Sequence, residues 1–171
     1  MSSSRSAETL DWSAPFGALA PGQSFTTRGR TVTEADVVAF AALTGDWHSQ
    51  HSDAVWAANS AFGERIAHGM LVISLAVGLV PLDPDRVVAL RRLSDVVFKR
   101  PVKFGDTVRV SGKVAEVAAV GDEAGLVTFT WSIHNQDDQL VCRARVEVVW
   151  RADDAAGTTA AADELTGAVN G

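Results

Sequence analysis

The chain has 171 residues, 47% of them apolar, and a formal charge of −6. That length fills one core and falls short of two ordinary domains. The acidic balance argues against a nucleic-acid binder, whose affinity rests on neutralised phosphates.

The single cysteine, Cys142, cannot form an internal disulfide. Met1-Ser2-Ser3-Ser4-Arg5 has no apolar run behind it to make a signal peptide, so a reducing cytoplasm is the expected location. Residues 1–11 are rich in serine and small side chains and are expected to be flexible, as is the Ala/Thr/Gly/Asp tail over 152–171. Pro21-Gly22 turns the chain into a strand predicted over Gln23–Arg30. Thr33 is a good N-cap for a helix with Val37, Val38, Phe40, Ala41 and Leu43 on its apolar stripe, and Glu34 and Asp36 suit its positive end.

Gly45 stops that helix. The next stretch, Asp46-Trp47-His48-Ser49-Gln50-His51-Ser52-Asp53, is too polar and too aperiodic to read as anything but a loop, and Asp53 can cap a short helix through Trp56 and Ala58. Then comes the most apolar run of the chain, Ile66 to Val80, ended by Pro81. A helix built from it has no polar face and must be enclosed by the fold, and at about 13 residues it is shorter than the roughly 20 that cross a bilayer. Beyond Pro81 the pattern becomes extended, with strands predicted over 86–99, 107–117, 126–134 and 139–151. In the last of these, Leu140, Cys142, Ala144, Val146, Val148 and Trp150 alternate with Arg143, Arg145 and Glu147, so Cys142 reads as a small core residue. Strands joined by short connections make an antiparallel sheet, and the fold class is α+β with that sheet wrapped around the long apolar helix.

Asp46 and His51 sit in one polar loop, where a carboxylate can orient a water and an imidazole can move its proton. The plainer alternative is that Asp46 turns the loop and His51 is a surface histidine. Asp46, His48, His51 and Asp53 include a His-x2-His pair, yet no third histidine or cysteine stands at zinc-ligand spacing nearby. There is no Gly-x-Ser-x-Gly elbow, and Ser74 inside the apolar helix can bond back to a carbonyl one turn earlier. Gly69 follows His68 where the long helix begins, so a backbone N–H with no side chain over it points out of the positive helix end, a place for developing negative charge. Gly69 could equally serve only close packing.

The run Phe40-Ala41-Ala42-Leu43-Thr44-Gly45-Asp46-Trp47-His48-Ser49-Gln50-His51-Ser52-Asp53, followed by Phe62-Gly63-Glu64-Arg65-Ile66-Ala67-His68-Gly69-Met70-Leu71, resembles the MaoC-like, (R)-specific enoyl-CoA hydratases and dehydratases of the hotdog fold. Phe98-Lys99-Arg100-Pro101-Val102-Lys103-Phe104-Gly105-Asp106 continues the likeness, which covers about residues 20–151. The resemblance implies a single hotdog domain over 12–151 and puts a catalytic dyad on Asp46 and His51. The family signature has Asp, then Asn-Pro, one variable residue and His; here His48-Ser49 stands in place of Asn-Pro. A serine that some members carry in the central helix is replaced by Val77.

What the resemblance implies chemically is hydration of a trans-2-enoyl thioester to a (3R)-hydroxyacyl thioester, or the reverse, with the Gly69 N–H as oxyanion donor. Neither metal nor redox cofactor is implied; coenzyme A, or the phosphopantetheine of a carrier protein, belongs to the substrate. His68 is expected to tie the Asp46 loop to the helix start and to border the substrate. Trp47 and His48 are candidate contacts to it, and among Arg91, Arg92, Lys99, Arg100 and Lys103, Arg91 and Lys99 are candidates for coenzyme A phosphates. The expected assembly is a homodimer joined edge to edge through the sheets, with a higher oligomer or heterodimer open. The competing readings are a hotdog thioesterase and a non-catalytic acyl-binding or partner subunit.

Overall fold

The computed structural model describes residues 8–152. A short turn of helix, Phe16–Ala18, precedes β1 (Ser24–Thr26) and β2 (Arg30–Thr31); then come α1 (Glu34–Thr44), α2 (Ser49–Ser52), α3 (Ala54–Ala58) and α4 (Gly69–Leu79), followed by β3 (Val87–Phe98), β4 (Thr107–Val120), β5 (Ala124–His134) and β6 (Leu140–Arg151). The sheet is antiparallel throughout, in the order β1-β4-β5-β6-β3, with β2 also on β4. Helix α4 packs on it through Leu71, Val72, Ile73, Leu75, Ala76 and Leu79, all buried. Each of the leucine, valine and isoleucine side chains taken from water contributes about 1.5–3 kcal/mol, which makes α4 the centre of the core. This is the expected hotdog arrangement, a sheet around one apolar helix.

Cys142 is fully buried in β6, and burial pushes its thiol up to about 11, as suits a core side chain. Ser74 donates to the Met70 carbonyl one turn earlier, at 2.8 Å. Among the described residues, no helix is long and apolar enough to cross a membrane.

Three expectations need correction. Residues 8–11 of the segment expected to be flexible are built into the fold: Leu10 is buried and its N–H donates to the Ser24 carbonyl at 2.8 Å, while Ser24 N–H donates to Glu8. Trp12, next in the chain, stacks on Phe129 and Trp150 with centroids 5.6 and 5.7 Å away, so aromatic packing holds this segment down. Residues 1–7, and the tail beyond 152, lie outside the described residues. The strand predicted over 23–30 is broken in two, because the Thr27 hydroxyl rather than a main-chain carbonyl takes the Val110 N–H. The long helix begins at Gly69 as expected, after Ile66 bridges Lys103 and Ala67 N–H donates to the Val102 carbonyl. Finally, α4 is not enclosed on every side, since Met70, Ser74 and Gly78, one turn apart, form an exposed stripe.

Candidate active site

Helix α1 ends at Gly45, whose φ of 78° and ψ of 6° are left-handed values that glycine adopts without strain. The chain reverses there and runs through Asp46 to Asp53 beside the segment that enters α4. The expected loop contains one turn of helix, α2, because the His48 ring accepts the Gln50 N–H at 3.1 Å and supplies the missing cap. Four bonds tie the two segments together: the Gln50 side-chain amide donates to the Glu64 carbonyl (3.0 Å), Ile66 N–H to the Gln50 carbonyl (3.3 Å), the His51 ring to the Ile66 carbonyl (2.7 Å), and the His68 ring to the Asp46 carbonyl (3.0 Å). The bond from His68 is the tie anticipated from the sequence. Gln50, 7% exposed, was not, since nothing in its sequence neighbourhood marks a buried amide.

These bonds assign the tautomers, because only a ring N–H can pair with a carbonyl oxygen. His51 uses Nδ1–H on Ile66 and keeps the lone pair of Nε2. His68 uses Nε2–H on Asp46 and leaves Nδ1 bare and buried, without a partner among the described residues. The His68 ring lies under that of His51, with centroids 3.8 Å apart and planes at 31°. Burial lowers the His51 pKa from its ordinary 6.5, outweighing the pull of the Ile66 bond, so the ring is a neutral base near pH 7. The carboxylate of Asp46 is half exposed, accepts the His48 N–H at 3.3 Å, and lies 3.9 Å from His68 Nε2.

Polar atoms of Asp46, His51 and His68 all lie within 4.8 Å of one another, a span that one shared water can bridge. The set that converges is thus not the Asp46, His48, His51 and Asp53 group considered from the sequence: His48 caps α2, and Asp53 caps α3 through the Val55 and Trp56 N–H groups. The His68 Nε2, 3.9 Å from the Asp46 carboxylate, carries the proton given to the Asp46 carbonyl.

Asp46, His51, His68 and Gly69 line one cavity of about 530 Å³, with Phe40, Phe62, Met70, Val72 and Phe98 as its apolar walls. Gly69 is the first residue of α4, so its N–H has no acceptor within the helix, and the helix start has neither a side-chain cap nor an acidic residue in its first turn. A Cβ on Gly69 would fall 2.7 Å from Phe98 Cζ. Glycine therefore lets the Phe98 ring close over the helix end. Lys99 is exposed and lines the cavity, along with Arg100.

Three candidate contacts are placed elsewhere. Arg91, 13% exposed, is committed to Glu147 at 2.6 Å across β3 and β6. Trp47 is 52% exposed and is not part of the cavity wall, and the His48 ring packs edge-on against Trp56 with centroids 5.6 Å apart. Nothing in the sequence marked Phe40, Phe62 and Phe98 as cavity walls, since an aromatic on a helix stripe, a loop or a strand reads as core.

Residues 16–135 match the MaoC like domain family. The chain is 46% identical over 96 residues to Protein MaoC of Klebsiella aerogenes, an alignment covering 56% of this chain and 29% of that one. It is 36% identical over 106 residues to the (R)-specific enoyl-CoA hydratase of Aeromonas caviae, covering 62% of this chain and 77% of the hydratase. Among solved structures, the monoamine oxidase regulatory protein from Archaeoglobus fulgius superposes with a TM-score of 0.78 at 36% identity, over 82% of this chain and 95% of that one.

Proposed function

The chain belongs to the MaoC-like domain family, and from that premise we propose that it adds water to trans-2-enoyl thioesters, giving (3R)-hydroxyacyl thioesters, and catalyses the reverse dehydration. The observation that carries the reading is that Asp46, His51, whose Nε2 is left without a proton, and Gly69, whose N–H the helix does not use, line one apolar cavity. The relative from Aeromonas caviae, named for that activity, supports it.

The thioester carbonyl oxygen accepts the Gly69 N–H, and the acyl chain lies among the apolar walls. His51 Nε2 takes one proton from the water that Asp46 orients, as the hydroxide forms its bond to the β carbon. The electron pair moves to the carbonyl oxygen, where the Gly69 N–H and the helix dipole stabilise the enolate. The proton held by the dyad then goes to the α carbon. His68 acts through the others: it bonds the Asp46 carbonyl and floors the His51 ring. Lys99 and Arg100 are suited to the phosphates of coenzyme A. Strand β3, at the end of the sheet, exposes Val88, Leu90 and Leu93, which fits a homodimer joined along that edge.

The test is hydration of crotonyl-CoA, followed by loss of the enoyl absorbance. Asp46→Asn and His51→Ala are each expected to lower kcat by about 10²–10⁴, the usual worth of a general acid or base, with the fold unchanged by circular dichroism. Full activity in either variant overturns the reading, and release of free thiol from saturated acyl-CoA would point to hydrolysis instead. In the wild type, kcat/KM should fall on the acid side with a midpoint below 6.5, because burial favours neutral His51.

A further inference from the structure

From the cap on α2 we infer that His48 is a positioning residue, whose neutral ring holds the turn carrying His51 in register and releases it on protonation. This rests on the reading of His51 as the base. Helix α2 is four residues long, too short to stand on its own hydrogen bonds. What fixes its start is the acceptance of the Gln50 N–H by His48 Nδ1 at 3.1 Å. Gln50 in turn makes two of the four bonds to the segment entering α4, and the residue after it is His51. A slack cap therefore reaches the base through one peptide unit.

The feature is unlike an ordinary cap in one respect. The oxygen of Ser, Asp or Asn accepts an N–H throughout the neutral range, whereas an imidazole Nδ1 accepts only while deprotonated. The groups facing the His48 ring are few. Before it stands Asp46, whose carboxylate takes the His48 N–H at 3.3 Å; within α2 stands the His51 ring, 6.2 Å away. From α3 the Trp56 ring packs on it, and that helix carries no ionisable side chain; Asp53 at the start of α3 is occupied by the Val55 and Trp56 N–H groups. The His48 ring is exposed to solvent.

The experiment compares wild type, His48→Asn and His48→Ala in crotonyl-CoA hydration between pH 5 and 8. At pH 8, His48→Ala should lose about tenfold in kcat, the scale of a lost helix cap, with KM within about twofold, and His48→Asn should restore kcat. The ratio of wild-type to His48→Asn activity should fall from about one at pH 8 toward about one tenth at pH 5, because protonated wild type then resembles the uncapped variant. A charged His48 ring lowers the His51 pKa, so its replacement lets His51 titrate higher and by itself would raise the ratio at acid pH; a fall therefore reports the cap. A ratio flat in pH, or an Ala variant with wild-type kcat, overturns the inference. A readout independent of activity is the Gln50 amide proton in NMR spectra: it should shift further with pH in the wild type than in His48→Asn, where the neighbouring His51 alone titrates, and equal shifts in the two proteins overturn the cap. If His51→Ala proves active, the dyad reading fails while the Gln50 signal still decides the role of His48.

Discussion

Helices α1 and α4 are both eleven residues long and begin in opposite ways. At the start of α1, Thr33 accepts the Asp36 N–H, Asp36 accepts the Thr33 N–H at 2.8 Å, and Glu34 and Asp36 place negative charge on the positive end. At the start of α4, His68 makes no side-chain cap and no acid stands in the first turn. The first helix end is satisfied from within the chain. The second keeps its N–H groups and its dipole for something else, and it opens on a cavity. The difference separates a terminus that stabilises the fold from one left available for a developing anion.

The largest effect expected from this contrast comes from deleting the α4 donor while keeping its helix. Proline at the first helical position removes an N–H that the helix does not use, and His68, at ψ 137°, already has the extended backbone that precedes proline. The ring of Phe98 would collide with the new side chain, so the comparison is made in a Phe98→Ala background. Gly69→Pro is expected to lower kcat by about 10²–10³ relative to Phe98→Ala alone, the loss seen when one oxyanion donor is removed, with little change in melting temperature. If the two proteins are equally active, the open helix start has no part in the chemistry.

The capped start was legible because capping is local: Thr33, Asp36 and Gly45 announce α1 within their own few residues. Strands β3 to β6 were legible for a similar reason, since alternation over ten or more residues overrides local exceptions. What escaped were consequences of contacts far apart in the chain. Leu10 is held by Ser24, and the break at Thr27 depends on Val110. The turn at α2 hangs on a histidine acting as a cap, an unusual choice, and the burial of Gln50 depends on Glu64 and Ile66. Asp46, His51 and Gly69 could be picked out by residue type and spacing. Their convergence with His68, and the commitment of Arg91 to Glu147, required the fold.

A milder change gives α4 what α1 has. Met70, in the first turn and 56% exposed, borders the cavity. Met70→Glu puts a carboxylate where the enolate oxygen needs positive potential, while pairing favourably with the helix dipole. The expected result is a kcat lower by about tenfold together with a stability gain of about 0.3–1 kcal/mol, read by chemical denaturation. Gain of stability with unchanged kcat would mean that the dipole at this end does not act on the substrate.

The smallest effect is the reciprocal one at α1. Thr33→Ala removes the cap oxygen from Asp36 N–H and should cost about 1 kcal/mol, a few degrees in melting temperature, while leaving kcat untouched because α1 begins away from the cavity. The same cap has its own acid signature. The backbone N–H and hydroxyl of Thr33, with Arg30, hold the Asp36 carboxyl below its ordinary 3.8. A carboxylate favoured in the folded state contributes stability that is fully present above 3.8 and is lost as pH falls through its lowered folded value. In Thr33→Ala part of that dependence should vanish, so the stability difference between wild type and variant should shrink below pH 3.8 and stay constant above it. The acid loss of activity set by His51 lies at higher pH than this. The two helix starts can thus be told apart in one titration, the first by unfolding and the second by rate.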